Sequence, residues 1–552
     1  MNPQPSRGLF LFFSSVLFVL LGATIALQPP SVADIESAER LFGLSFDSAK
    51  RDSMFGDVTA NLKRYEGIRN TSLPNDVFPA LLFHPIPPGM KLEKGRSSFK
   101  ASTLRQVAKP RNIEEVAFYS IGQLADLIRT RKITSEQLTR MYLGRLKKYG
   151  PKLECVITLT EELAIKQARR ADAEIKRGKY RGPLHGIPYG AKDLLAAKGY
   201  KTTWGSVPFK DQVIDEDATV IKKLEAAGAV LVAKLTLGEL AWGDVWFGGT
   251  TRNPWNYKQG SSGSSAGPAS ATAAGLVAFA IGSETWGSIV SPSTRCGTTG
   301  LRPSYGRVSR TGAMALSWSM DKLGPLCRTV EDCAIVFNAI YGPDGKDQTV
   351  YDVPFQYNPG LSLKGMKIGY LKTAFDSVRT NKANTDSVLA VLRKLGARLI
   401  PKELPKRAVG DLSIILSAEA AAAFDDLTRS GKDSMLVRQI KNAWPNAFRS
   451  SRFIPAVEYI QANRVRTLVI RDMQELFKDV DVYVTPSFGD NLLLTNLTGH
   501  PCVVLPNGFT KEGSPTSISF IGRLFGEGKL LAVAKKYQDA TDFHLKHPML
   551  EE

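Results

Sequence analysis

Residues Gln259 to Ser288 concentrate hydroxyl groups on a glycine-rich backbone. The segment opens Gln259-Gly260-Ser261-Ser262-Gly263-Ser264-Ser265-Ala266-Gly267 and closes Gly282-Ser283-Glu284-Thr285-Trp286-Gly287-Ser288. Pro268 falls where the first turn of a helix accepts it. The small residues after it let that helix approach a sheet closely, and the apolar run Leu276 to Ile281 reads as a strand. Two serine loops are thereby brought together by one helix–strand unit, with the second loop expected to start at Gly282.

Several chemistries suit such a segment. A Gly/Ser linker does not usually continue into an apolar helix and strand. A phosphate-binding loop would need G-x-x-x-x-G-K-[ST], and no lysine follows these glycines. Gly263 to Gly267 formally match G-x-S-x-G, the nucleophile elbow, and His500, His544 and His547 follow in a suitable order. That elbow needs an apolar strand immediately before it, whereas Asn253 to Lys258 read as a loop. A serine can also be activated by a neutral lysine. Lysine titrates near ~10.4 in water, so such a base must be desolvated. Lys192, in Gly186-Ile187-Pro188-Tyr189-Gly190-Ala191-Lys192-Asp193-Leu194-Leu195, follows a turn and precedes an apolar pair, as at a buried strand end. Taken alone it reads more readily as a surface lysine paired with Asp193; the serine-rich loops change that balance.

These loops need a framework. The 552 residues are 43% hydrophobic and 23% charged, which excludes a largely disordered or collagenous chain and allows a large core. The net charge of +19 is spread along the chain without an aromatic-interleaved patch, so no nucleic-acid partner is expected. Five cysteines without a C-x-x-C pair make no disulfide framework, and no H-E-x-x-H motif points to zinc. A Cys327–Cys333 bridge has no support in the pattern. Helices are expected over Thr160–Lys179, from Asp217 to Gly228, from Thr329 to Ile340 and over Asp386–Leu395. His544 and His547 read as lying on a last helix. Strands are expected over Ala229–Ala233, Met366–Tyr370 and Val480–Val484. This alternation implies an α/β fold around a mixed, mostly parallel sheet.

The motifs taken together resemble the amidase signature family, over roughly residues 115–550. They comprise Gly186 to Lys192, Ser264 to Ser288, Cys296 to Val308, Asp321-Lys322-Leu323-Gly324-Pro325 and Asn496-Leu497-Thr498-Gly499-His500-Pro501. The resemblance implies a large α/β/α sandwich and hydrolysis of a linear amide bond without metal or nucleotide cofactor. It implies a triad of Ser288 as nucleophile, Ser264, preceded by a cis peptide bond, as bridging proton relay, and Lys192 as base. Ser264 is preferred to Ser261, Ser262 and Ser265 because Gly267 and Ala269 then fall on the family's positions. Backbone N–H groups of Thr285, Trp286, Gly287 and Ser288 would form the oxyanion hole, with Ser265 and Glu284 in support. The family usually carries glycine where Trp286 stands and arginine where Val290 stands.

The N-terminus adds a further expectation. Arg7 is followed by an apolar stretch to Leu27 with no charge before Asp34. That pattern reads as a secretory signal over residues 1–28, or as a membrane tether through residues 9–27, given the ~20 residues a spanning helix needs. Residues 29–114 are expected to be an accessory region before an amidase domain over 115–550. An exported chain acting on a small-molecule or peptide amide follows. The alternatives are a non-catalytic binding protein on the same fold and a glutamine-dependent amidotransferase component of the A type.

Overall fold

The computed structural model describes residues 29–70, 74–77, 81–103 and 106–550, so the expected signal or tether over residues 1–28 lies outside them. The chain divides into two compact units after Leu73. In the first, α1 (Val32–Phe42) begins where the Asp34 carboxylate accepts the Ser31 N–H at 2.7 Å and ends at Gly43, whose φ is +66°. Helix α2 (Ser48–Arg69) follows, and the Arg51 guanidinium meets the Glu39 carboxylate of α1 at 2.9 Å.

In the second unit the described residues form one sheet of eleven strands. The first four are β1 (Val156–Leu159), β2 (Pro188–Lys192), β3 (Val230–Leu235) and β4 (Phe279–Glu284). Then come β5 (Thr299–Arg302), β6 (Lys322–Cys327), β7 (Lys367–Leu371) and β8 (Arg398–Lys402). The last are β9 (Val482–Pro486), β10 (Cys502–Phe509) and β11 (Pro515–Gly522). Their spatial order is β8-β7-β9-β11-β10-β5-β6-β4-β2-β3-β1.

The sheet is mixed, as expected, but parallel pairing does not predominate. Only β7–β8, β7–β9, β2–β3 and β2–β4 are parallel. The remaining neighbours are antiparallel. The connections explain this. A helix, Thr219–Ala226, separates β2 from β3, and another, Lys382–Lys394, separates β7 from β8, as parallel crossovers require. Residues 510–514 alone join β10 to β11, which is too short for anything but a hairpin.

Helices cover both faces, so central strands are apolar on both sides. In β3, Val230 and Val232 enter one core with Ala164 and Ala168 of the helix Glu161–Lys176, while Leu231 enters the main core on the opposite face. That is why Ala229–Ala233 reads as an uninterrupted apolar run. The helix Val330–Ile340 begins as expected at Thr329, whose hydroxyl accepts the Asp332 N–H at 3.0 Å. The Asp332 carboxylate closes no capping box on the Thr329 N–H; it accepts the Ile121 N–H at 2.8 Å. Residues after Asp539 do not continue a helix. His544 lies in a short 3-10 turn and His547 stacks on Phe118 at 3.9 Å. All five cysteines are buried free thiols. Part of the expected accessory region belongs with the larger unit, where Ser98–Phe99 pairs with Gln356–Tyr357.

The end of β2 is pinned from below. Asp193 does not pair with Lys192. Its carboxylate meets the Lys234 ammonium of β3 at 2.6 Å, both side chains fully buried, and accepts the Thr203 N–H at 2.8 Å and hydroxyl at 2.5 Å. Replacing Lys234 with methionine should strand that carboxylate and cost about 3–5 kcal/mol of stability in a urea titration. Unchanged stability would show that the pair does not hold this strand end.

Candidate active site

Lys192 closes β2 and Ser283-Glu284 close the neighbouring parallel strand β4, so three polar side chains converge at the carboxyl ends of adjacent strands, where ligands of open α/β sheets bind. The strand therefore continues past Gly282, the expected start of the second loop. The first serine loop supplies the remaining partners, before the helix Ala266–Ala273. Lys192 Nζ lies 2.8 Å from Ser264 Oγ, 2.9 Å from Ser283 Oγ and 3.2 Å from Ser265 Oγ, and is fully buried. Burial pushes its pKa well below that of an ordinary lysine, against a weaker upward pull from Asp321 and Glu284.

The loop geometry depends on glycine. The Gly263–Ser264 peptide bond is cis. A Cβ on Gly263 would sit 1.8 Å from the Gly243 carbonyl oxygen, so no side chain fits there. Ser265 ties the two loops together. Its hydroxyl donates to the Ser283 carbonyl at 3.0 Å and accepts the Ser283 N–H at 3.1 Å, and its own N–H donates to the Ser288 carbonyl at 3.1 Å. Ser264 and Ser288 are both buried, at 1% and 8% exposure. Among the described residues no side-chain hydrogen bond joins them.

Glu284 anchors the turn that carries Ser288. One carboxylate oxygen accepts from Arg302 at 2.7 Å and from Asn496 at 2.8 Å. The other accepts the N–H groups of Ile289 and Val290 at 2.8 and 2.9 Å. Burial alone would raise its pKa, but the Arg302 charge and these hydrogen bonds outweigh it and hold the group at about 2. The N–H groups of Trp286, Gly287 and Ser288 find no acceptor among the described residues, so they are open to an incoming oxygen. Gly287 adopts φ +83° there, a conformation that side chains disfavour. Of the two departures, Trp286 is 46% exposed and Val290 is fully buried in a core. Thr285 donates to the Asp321 carboxylate at 2.5 Å. Burial pushes Asp321 up.

The structure thus brings Lys192, Ser264 and Ser265 into hydrogen-bond contact and places Thr285 to Ser288 on one anchored turn. The elbow alternative gains nothing. Asn256–Gly260, expected as loop, is a strand, but it belongs to a separate small hairpin with Arg252–Asn253. No histidine hydrogen-bonds to these serines among the described residues. His500 is buried against Phe477 with Thr498 at 2.8 Å, and burial lowers it to about 3. Sequence reasoning missed Ser283 as a lysine partner and Arg302 and Asn496 as partners of Glu284. The resemblance spans both Arg302 and Asn496, but their contacts with Glu284 reach across the intervening strand β6 or from the distant helix Asp490–Leu497.

Replacing Glu284 with glutamine should slow acylation of Ser288 by a fluorophosphonate at least about tenfold, because the turn loses a charged anchor. The stability linkage is specific. A carboxyl depressed from 4.5 to about 2 contributes its stability fully above the unfolded value and loses it as pH falls towards 2. The stability gap between the parent and E284Q should therefore narrow below about pH 4.5. A gap that widens with acid would refute this account of Glu284.

Residues 137–493 match the family model described as Amidase. The A subunit of the glutamyl-tRNA(Gln) amidotransferase of Acinetobacter baumannii is 34% identical over 485 residues, covering 78% of this chain and 98% of the relative. That of Moorella thermoacetica is 34% identical over 491 residues, covering 79% and 99%. The peptide amidase of Stenotrophomonas maltophilia superposes with a TM-score of 0.72 at 29% identity, covering 80% of this chain and all of that one. These findings correct the expectation of an exported or tethered chain. The bacterial relatives are named for an aminoacyl-tRNA, a molecule made and used inside cells. Among the described residues, which do not include 1–28, no helix is long and apolar enough to cross a membrane. A basic start and an apolar run are compositional signals only, and composition does not identify what a segment meets. By motif, fold and matched length, this chain belongs to the amidase family and is an amide-hydrolysing enzyme.

Proposed function

We propose that the chain hydrolyses a carboxylic amide through a serine acyl-enzyme, with Ser288 as nucleophile, Ser264 as bridging relay and Lys192 as base. The observation that carries this reading is the fully buried Lys192 amine among three hydroxyls, with no carboxylate within ion-pair distance among the described residues. A neutral amine offers two N–H donors and one lone pair. The Ser265 hydroxyl proton is spent on the Ser283 carbonyl, so Ser265 accepts from Lys192. The Ser264 hydroxyl has no other acceptor among the described residues and is free to donate to the lone pair. In that protonation state Ser264 can take a proton from Ser288 while passing its own to Lys192.

Ser288 Oγ then attacks the amide carbonyl. The open N–H groups of Trp286, Gly287 and Ser288 receive the oxyanion, where one such donor is worth about 2.7–4 kcal/mol. Lys192 returns the proton through Ser264 to the departing amine, and water releases the acid from the acyl-enzyme. The Ser264–Ser288 contact need not be short beforehand, since catalytic hydrogen bonds commonly tighten only once substrate is bound. Acid that protonates Lys192 removes the base, so kcat/KM should fall as pH drops through its depressed pKa.

A second reading follows from the bacterial relatives, which are named as subunits of an enzyme acting on glutamyl-tRNA(Gln). In that role the same site would release ammonia from an amide for a partner. The names give the partner and the tRNA to those proteins, and the solved relative named a peptide amidase supports action on a simple amide.

Ser288→Ala should abolish labelling by a serine-directed fluorophosphonate, and Lys192→Ala should cut turnover of an aryl amide by several orders of magnitude. Labelling that survives on Ser265, or turnover indifferent to Lys192, would refute the triad. Amide hydrolysis that appears only with added partner subunits and tRNA would favour the second reading.

A further inference from the structure

A cavity of about 170 Å³ adjoins the site. Ser283, a partner of Lys192, and Thr285, the first residue of the anchored turn, form one wall. Leu194, Met314, Leu316 and Leu323 supply apolar lining, and two exposed residues of opposite charge, Asp76 and Lys346, also line it. The buried ionic side chains in that wall are engaged elsewhere. Asp321 accepts from Thr285 and from the N–H groups of Leu316 and Ser317, and Arg310 bonds Asp347, Thr349 and the Trp318 carbonyl.

A strap from the start of the second unit reaches this cavity. The Asn75 amide brackets Ala315, donating to its carbonyl at 2.9 Å and accepting its N–H at 2.6 Å. The neighbouring Asp76 lines the cavity beside Ala315. The amide thus acts as a one-residue strand partner for the loop Thr311–Leu316. A continuous run of hydrogen bonds leads from Asn75 through that loop and Asp321 to Thr285. The strap's seat and the wall beside the oxyanion turn are therefore one connected structure.

We propose that this cavity receives the acyl half of the substrate as a compact, uncharged group, and that the strap Pro74–Val77, held by Asn75, sets its size limit. This rests on the acyl-enzyme reading above. In such a mechanism the amine departs early and the acyl group stays through hydrolysis. A partly apolar cavity beside the oxyanion turn suits the half that stays bonded to Ser288 through hydrolysis. The cavity is small beside the ~300–1,000 Å³ usual for drug-sized ligands, so a single ring or a short branched chain fits and a fused or biaryl group does not.

The test compares labelling rates of the full chain with fluorophosphonates bearing phenyl or biphenyl on phosphorus, which stand for a small and a large acyl group. The parent should label faster with phenyl by at least about tenfold, the scale of discrimination by a hydrophobic pocket. Asn75→Ala should narrow that ratio by about fivefold or more by raising the biphenyl rate. Ala313→Leu, which narrows the cavity at a lining residue without altering the Asn75–Ala315 pair, should lower the phenyl rate more than that of a methyl analogue. Failure of every probe to label Ser288 in the parent would overturn the acyl-enzyme reading itself. Labelling of Ser288 with a size ratio indifferent to both substitutions would leave that reading standing and overturn the strap inference alone.

Discussion

Desolvation of one amine is the constraint from which the rest of this site follows. Lys192 has no access to solvent and no carboxylate partner among the described residues, so its charged form is expensive and its neutral form is favoured. A neutral lysine needs hydrogen-bond partners that are themselves neutral, and the fold supplies three hydroxyls from a loop and a strand end. The lysine's own strand end is in turn held by a true ion pair one residue further on. Asp193 takes Lys234 as its counter-ion and thereby keeps its charge off the neighbouring amine. Two buried lysines on adjacent strands thus have opposite electrostatic roles, decided by which one a carboxylate can reach.

The nucleophile's turn solves a complementary problem. Its N–H groups must stay unbonded to be useful, yet an unbonded turn is free to move. Glu284 resolves the conflict by taking the N–H groups of Ile289 and Val290, just beyond the useful ones, and by taking its own rigidity from Arg302 and Asn496. A buried carboxylate is costly unless paired and fully hydrogen-bonded, and this one is both. The charge therefore works at a distance from the chemistry, on the backbone that presents it.

Much of this was legible in the chain of residues. The apolar runs of β3 and β9, the capping threonine of Val330–Ile340 and the helix start near Pro268 follow from local patterns. The serine loops and Lys192 were identifiable by residue type and by family resemblance. The dominance of antiparallel pairing was not legible, because it depends on where β10 and β11 insert between β9 and β5, and local periodicity carries no such information. Nor was the choice between Lys192 and Lys234 as the partner of Asp193. Both lysines stand on buried strands with similar neighbours in sequence.

What the sequence determined by itself was the chemical inventory: two hydroxyl-rich loops, a lysine at a strand end, a carboxylate before the second loop, and small residues where backbones must meet. Those are properties of residue type and spacing. Only the tertiary structure decided that Lys192 meets Ser264, Ser265 and Ser283, that Glu284 reaches Arg302 and Asn496, and that Asn75 brackets Ala315. These contacts join positions between 18 and 240 residues apart. Their formation depends on sheet order and burial, which set both the distances and the dielectric in which an amine loses its charge.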